Sequence, residues 1–179
     1  MRPIGTTSIA AGGLTLRPWE PADVAFVYHA CQDVEVQRWT PLPRPYTAGD
    51  AVRLLEVSEE GRAENVAAHF AITATETGEV LGSIGLKDID WDASRAEADY
   101  WVAPEARGRG VAPLALRALV HWAGQHLGIG EVKLLIAAGN HASERVAEQA
   151  GFARDGVVAG GCHVDDTVLD ADVYRRATT

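Results

Sequence analysis

The sequence predicts one domain of the α/β (α+β) class, a mixed central sheet of about seven strands with about four helices. Three observations carry this. Strand-sized apolar runs in the middle of the chain, separated by turn residues, read as an antiparallel meander. After them come a strand, a glycine-rich turn, a helix and an unbroken apolar strand, an order that implies a parallel pair joined by a right-handed crossover. Finally, 179 residues with 47% hydrophobic content supply one core, while two full domains would be tight.

The elements follow in order. Residues 1–13 read as a flexible leader ending in Gly12-Gly13, so the domain is expected to span 14–179. Leu14-Thr15-Leu16-Arg17 alternates and is stopped by Pro18, a short strand. Glu20-Pro21-Ala22-Asp23 opens a helix with proline in its first turn, and Val24, Val27, Tyr28 and Cys31 continue at helical spacing. Pro41, Pro43 and Pro45 make Arg38 to Tyr46 a stiff loop. Thr47 is the N-cap of a helix running to about Glu60. His69–Thr73, Val80–Leu86 and Ala96–Val102 are the meander strands, with Thr77-Gly78 as a tight turn. A helix from about Gly110 carries Leu114, Ala118, Leu119 and Trp122 on one face and ends at Gly128 and Gly130. Val132–Ala137 is the continuous apolar strand. Ser143–Ala150 is a short helix closed by Gly151, Phe152 opens a strand, and Leu169–Arg175 is the last one, with Leu169, Ala171 and Val173 inward.

Composition narrows the function classes. A net charge of −9 argues against a general binder of nucleic acid or anionic membranes, which needs clustered basic charge. Cys31 and Cys162 make neither a disulfide framework nor a zinc spacing, and the histidines show no metal spacing, so no metal is expected and a reducing cytoplasm is the simplest compartment. Nothing approaches the roughly 20 apolar residues of a membrane span.

The stretch Tyr100–Ala112 organises the chain. An apolar strand ends near Pro104, then Arg107-Gly108-Arg109-Gly110 precedes the helix that begins at Val111. Glycines let the backbone curl, and the first N–H groups of a helix point unpaired at whatever lies in the turn, so the arrangement can cradle a phosphate. The same residues also read as a solvated turn. A P-loop is excluded because no Gly-Lys-Ser/Thr is present, and a dinucleotide fingerprint because Pro113 stands where a third glycine is needed.

Arg107-Gly108-Arg109-Gly110-Val111-Ala112 matches the (Gln/Arg)-x-x-Gly-x-(Gly/Ala) coenzyme motif. Ala96–Glu105 precedes it, and Asn140–Phe152 follows at the expected distance. With Leu14-Thr15-Leu16-Arg17-Pro18 and Arg38-Trp39-Thr40-Pro41, the chain from Leu14 to Tyr174 resembles the GNAT superfamily of acyl-CoA-dependent N-acyltransferases, and within it the ribosomal-protein N-terminal acetyltransferase branch. The resemblance implies a sheet splayed between two central parallel strands, here those ending at Val102 and Ala137. A bulge near Trp101-Val102 would leave backbone N–H groups free for pantetheine and thioester. It also implies acetyl-CoA as co-substrate, bound by Trp101, Val102, Ala103, Arg107, Gly108, Arg109, Gly110, Val111, Ala112, Asn140 and Ser143, and a homodimer.

The reaction implied is direct attack of a primary amine, from a small molecule or a protein N-terminus, on the thioester. Glu97 and Asp99 alternate with Trp101 and should share one face of their strand. Glu97 is the candidate proton acceptor, since an α-amine or lysine, with a reference pKa of about 8 or higher, must be neutral to attack. Asp99, where the branch usually has a small residue, is a candidate site for the cationic acceptor, with Trp39 as an acceptor-site wall. Many superfamily members protonate the leaving thiolate with a tyrosine, but the aligned residue here is Ala147; Ser143 is the candidate partner of the sulfur. Each polar residue also has a plain structural reading: salt bridge for the acids, helix cap or first-turn residue for Ser143, turn residue for Asn140. The alternatives are a non-catalytic acyl-CoA-binding regulatory module and an acyltransferase that uses a larger acyl-CoA.

Overall fold

Gly12 and Gly13 both sit at positive φ and reverse the chain between two short strands, β1 (Ile9–Ala11) and β2 (Leu14–Arg17). The stretch expected as a loose leader therefore contributes an edge strand, and Ile4 is buried in the core as well. The computed structural model describes residues 3–164 and 167–179.

Three helices follow: α1 (Val24–Ala30), α2 (Val34–Trp39) and α3 (Ala48–Ala63). The turn before α1 is locked by Asp23, whose carboxylate takes two hydrogen bonds from Arg17 at 2.7 and 2.9 Å and one from the Glu20 N–H at 2.8 Å. Helix α2 corrects the expected loop from Arg38 to Tyr46: Asp33 caps Glu35 and Val36, so the chain is helical through Trp39 and turns extended only at Thr40. Thr47 and Asp50 close a capping box at the start of α3, as the sequence suggests.

The remaining elements are β3 (Ala68–Ala74), β4 (Val80–Asp90), β5 (Arg95–Val102), α4 (Val111–Trp122), β6 (Glu131–Ala137), α5 (His141–Gln149), β7 (Ala153–Val164) and β8 (Thr167–Ala177). The described residues form one eight-stranded sheet in the order β1-β2-β3-β4-β5-β6-β8-β7, mixed as expected, with one strand more than the sequence reading gives. Every pairing is antiparallel except β5 with β6.

Burial sorts the two faces. Leu16, Phe70, Ile84, Leu86, Ala98 and Val132 join Leu116, Leu119 and Val120 of α4 and Ala147 of α5 in the main core. On the other face, Trp101 packs with Val27, Val36, Tyr46 and Ala51 from the α1–α3 side, stacked between Trp19 (6.5 Å) and Phe26 (6.1 Å). Strand β5 is thus the partition: Ala96 and Ala98 face α4, while Trp101 faces α1–α3.

Candidate active site

The two central strands stay together for only three residue pairs: Arg95 with Glu131, Ala96 with Val132 and Glu97 with Lys133. Beyond Glu97 they part. β6 continues to pair with β8 through Ala137, and β5 with β4 through Val102, so each strand keeps one partner and presents a bare edge to the gap. The expected splay is present, but the bulge expected near Trp101-Val102 is not. The β4–β5 register runs unbroken from Glu97 to Val102, and its irregularity lies between Lys87 and Asp90, where Asp88 has positive φ. The sheet opens by divergence of the two strands, with no register shift in either one's remaining pairing over this stretch.

A cleft of about 1200 Å³ fills the gap. It is larger than a typical small-ligand pocket of roughly 300–1,000 Å³. Ala98, Tyr100 and Val102 line it together with Asp99 and Trp101, so it reaches both faces of β5 around the free edge.

On the α4 side the turn has the form the sequence predicts. Gly108 and Gly110 lie at φ +71° and +73°, and Gly110 caps α4 with no side-chain bond. Helix geometry leaves the N–H groups of Val111 and Ala112 without an intrahelical acceptor, and Pro113 has none to offer. Gly108, Gly110, Val111, Ala112 and Pro113 all line the cleft. Two expected residues differ. Arg109 is exposed and outside the cleft lining, and Ala103 is buried with its N–H bonded to the Leu81 carbonyl at 2.9 Å. Arg107 lines the cleft, but its guanidinium is paired with Asp33 and bonds the Val102 carbonyl at 3.2 Å, so it ties the turn to the cap of α2.

Asn140 and Ser143 also reach the cleft. Asn140 caps α5, its Oδ1 accepting the Ser143 N–H at 3.2 Å, so the plain structural role is filled alongside any other. Ser143 Oγ lies 2.6 Å from the hydroxyl of Tyr100. Burial raises the Tyr100 phenol to about 12, offset in part by the bond to Ser143, so it remains an O–H donor at neutral pH. Sequence reasoning found Ala147 where a tyrosine is common. The structure brings a tyrosine hydroxyl to Ser143 from β5 instead, and Ala147 is packed in the core. Burial also pushes the Cys31 thiol up to about 11 and raises that of Cys162, so neither is a thiolate poised for attack.

On the α1–α3 side, Glu97 and Asp99 line the cleft as expected, and Trp39 stands in its wall at the end of α2 with its indole N–H on Glu35 at 3.1 Å. Glu97 has company that the sequence did not reveal. Lys87 Nζ lies 3.0 Å from one carboxylate oxygen and Lys133 Nζ 3.1 Å from the other, and the glutamate side chain is only 8% exposed. Burial pulls the Lys87 ammonium down, but Glu97 and the nearby acids outweigh that and hold it above its ordinary value. Both carboxylate oxygens of Glu97 are thus engaged by ammonium groups. Asp99 instead faces His69, whose Nε2 lies 3.1 and 3.2 Å from its two oxygens.

Comparison with known proteins agrees with this geometry. Residues 13–153 match the family model described as the acetyltransferase (GNAT) domain. YdaF of Bacillus subtilis (strain 168), named as a candidate ribosomal N-acetyltransferase, is 37% identical over 93 residues, covering 49% of this chain and about half (51%) of YdaF. YoaA of the same organism, an uncharacterized N-acetyltransferase, is 24% identical over 161 residues, 90% of this chain and 91% of its own. Mycobacterium smegmatis RimJ, solved with a CoA disulfide, superposes with a TM-score of 0.89 at 19% identity over 99% of this chain and 90% of RimJ. The chain belongs to the acetyltransferase (GNAT) domain family.

Proposed function

We propose that this protein performs the acetyl transfer of its family, from acetyl-CoA to a primary amine, by direct attack within one cleft, and that the amine is the α-amino group of a polypeptide. The splay of β5 from β6 after Glu97 carries the reading. The bare edge of β5 offers N–H groups to an extended pantetheine arm and to the thioester carbonyl, as an added strand would. The pyrophosphate would lie against the Gly108–Ala112 turn and the start of α4. Ser143, whose hydroxyl is bonded to that of Tyr100 in the same cleft, would hydrogen-bond the leaving sulfur. A thiolate is a tolerable leaving group, with a reference pKa of about 8.5, so this weak donor pair is sufficient.

The acceptor half supports a cationic chain end. Its wall combines Glu35, Asp50 and Asp99 with Trp39, Pro41, Leu42, Leu54 and Val57; of the basic groups that also line it, Arg53 is paired with Glu56 and Glu60 and Lys87 with Glu97, in a chain of net charge −9. The name of YdaF points the same way.

Two measurements test this. Acetyl-CoA at 100 times its dissociation constant stabilises the fold by about 2.7 kcal/mol, a rise in melting temperature of roughly 5–11 °C. Peptides with a small N-terminal residue then release coenzyme thiol, and the same peptides with a blocked N-terminus do not. Stabilisation without thiol release would instead favour a non-catalytic coenzyme-binding module.

A further inference from the structure

Glu97 leaves the attacking amine without an unencumbered base, since two lysines hold both its oxygens. Two residues further along β5 the sheet offers one. His69 on β3, Gly85 on β4 and Asp99 on β5 are register partners, a single row across three strands. The imidazole of His69 lies across Gly85 to reach Asp99, so closely that a Cβ on residue 85 would fall 2.2 Å from its Cδ2 and 2.8 Å from its Nε2. Only a residue without a side chain lets the ring cross β4. Both His69 and Asp99 line the cleft, on the side assigned above to the acceptor.

We propose that His69 is the proton acceptor for the incoming ammonium, with Asp99 as its positioning residue and Gly85 as the gap through which they meet. The proposal rests on the acetyl-transfer reading above and deepens it. Asp99 draws the imidazole proton to Nε2, leaving the lone pair on Nδ1, and stabilises the imidazolium once formed. The ammonium of the acceptor gives one proton to Nδ1 and becomes a neutral amine. Its lone pair forms the C–N bond to the thioester carbonyl carbon, and the C–S bond breaks with its electron pair leaving on sulfur. The second proton, now on the acylated nitrogen, passes to the thiolate, and the imidazolium returns the first to water.

The side chains shown in contact with His69 are Asp99 from β5 and Arg62 from α3, whose guanidinium bonds the His69 carbonyl at 2.6 Å; Glu97, Lys87, Cys162 and His163 line the same cleft. Replacing Asp99 takes away the partner that holds the ring, so Asp99→Asn should show a pH-relieved loss of the same kind as His69→Gln.

The test compares the full chain with His69→Gln, Asp99→Asn and Gly85→Ala. Thiol release from acetyl-CoA is followed with short peptides bearing an N-terminal alanine or serine, from pH 6 to about 9.5, beyond the α-amine pKa of about 8. The expected result for His69→Gln is a loss of about 10²-fold in kcat/KM at pH 7. That loss shrinks to a few-fold at the top of the range, where the peptide amine is already neutral. Gly85→Ala keeps both side chains but parts them, and it should show a similar, pH-relieved loss. All three variants should bind acetyl-CoA as the unaltered chain does. A His69→Gln enzyme within twofold of the unaltered chain at pH 7, or a defect equal at every pH, overturns the proposal and leaves acetyl transfer standing. Failure of the unaltered chain to turn over any of the peptides while binding acetyl-CoA overturns the peptide acceptor and the dyad together.

Discussion

The two sides of β5 are built in different ways. Toward α4 the site is local: the cleft-lining residues Gly108, Gly110, Val111 and Ala112 lie within five positions, and the cap of α4 sets their geometry. Toward α1–α3 the site is assembled from afar. His69 and Asp99 are 30 residues apart, Glu97 meets Lys87 and Lys133 on neighbouring strands, and Trp39 arrives from α2. A local device can be kept while the opposite wall changes, which fits a family that holds one coenzyme and varies the acceptor.

Separability of the halves can be broken first at the turn. Gly110→Val forces a β-branched side chain into the left-handed region, a strain of roughly 1–3 kcal/mol. Acetyl-CoA affinity should fall at least tenfold by calorimetry. The near-ultraviolet dichroism of the tryptophans, three of which (Trp19, Trp39 and Trp101) lie on β5 or the α1–α3 side, should stay native. A native affinity would separate the turn from the coenzyme.

The α1–α3 side can be loosened independently at Asp23, in the turn before α1. Burial pushes this carboxyl up, but Arg17 and the Glu20 N–H outweigh it and hold it below the ordinary carboxylate range. A depressed folded value means that its stabilisation is present above the unfolded pKa of about 3.9 and is lost as pH falls through the lower folded value. Asp23→Asn leaves Arg17 short of its partner and should cost about 2 kcal/mol near neutral pH, roughly 4–8 °C in melting temperature. The deficit should fade below pH 4 and leave acetyl-CoA affinity unchanged. A constant deficit down to pH 2 would remove the ion pair from the account.

What was legible in the sequence follows the same division. The Gly108–Ala112 turn and the helix after it are set by residues a few positions apart and stand where expected, and the parallel pairing of β5 with β6 follows the strand–helix–strand order. Strand β1 was hidden because Ile9–Ala11 is too short to show a period, although Gly12-Gly13 marks its hairpin. Helix α2 was masked by the prolines after it, although Asp33 is an ordinary N-cap signal. The partners of Glu97 and Asp99 depend on strand register, which no single strand encodes. One trace did exist: Gly85, inside a strand pattern, marks a close approach, and the structure shows that His69 makes it.

The bare edge of β5 is the proposed seat of the thioester, and amide hydrogen exchange reads that edge directly. With saturating acetyl-CoA, the amides of Ala98–Val102 that point toward β6 should slow together with those of Gly108–Ala112, while the β4-facing amides of the same strand, already paired, change little. Unchanged exchange from Ala98 to Ala112 in the presence of bound acetyl-CoA would contradict it.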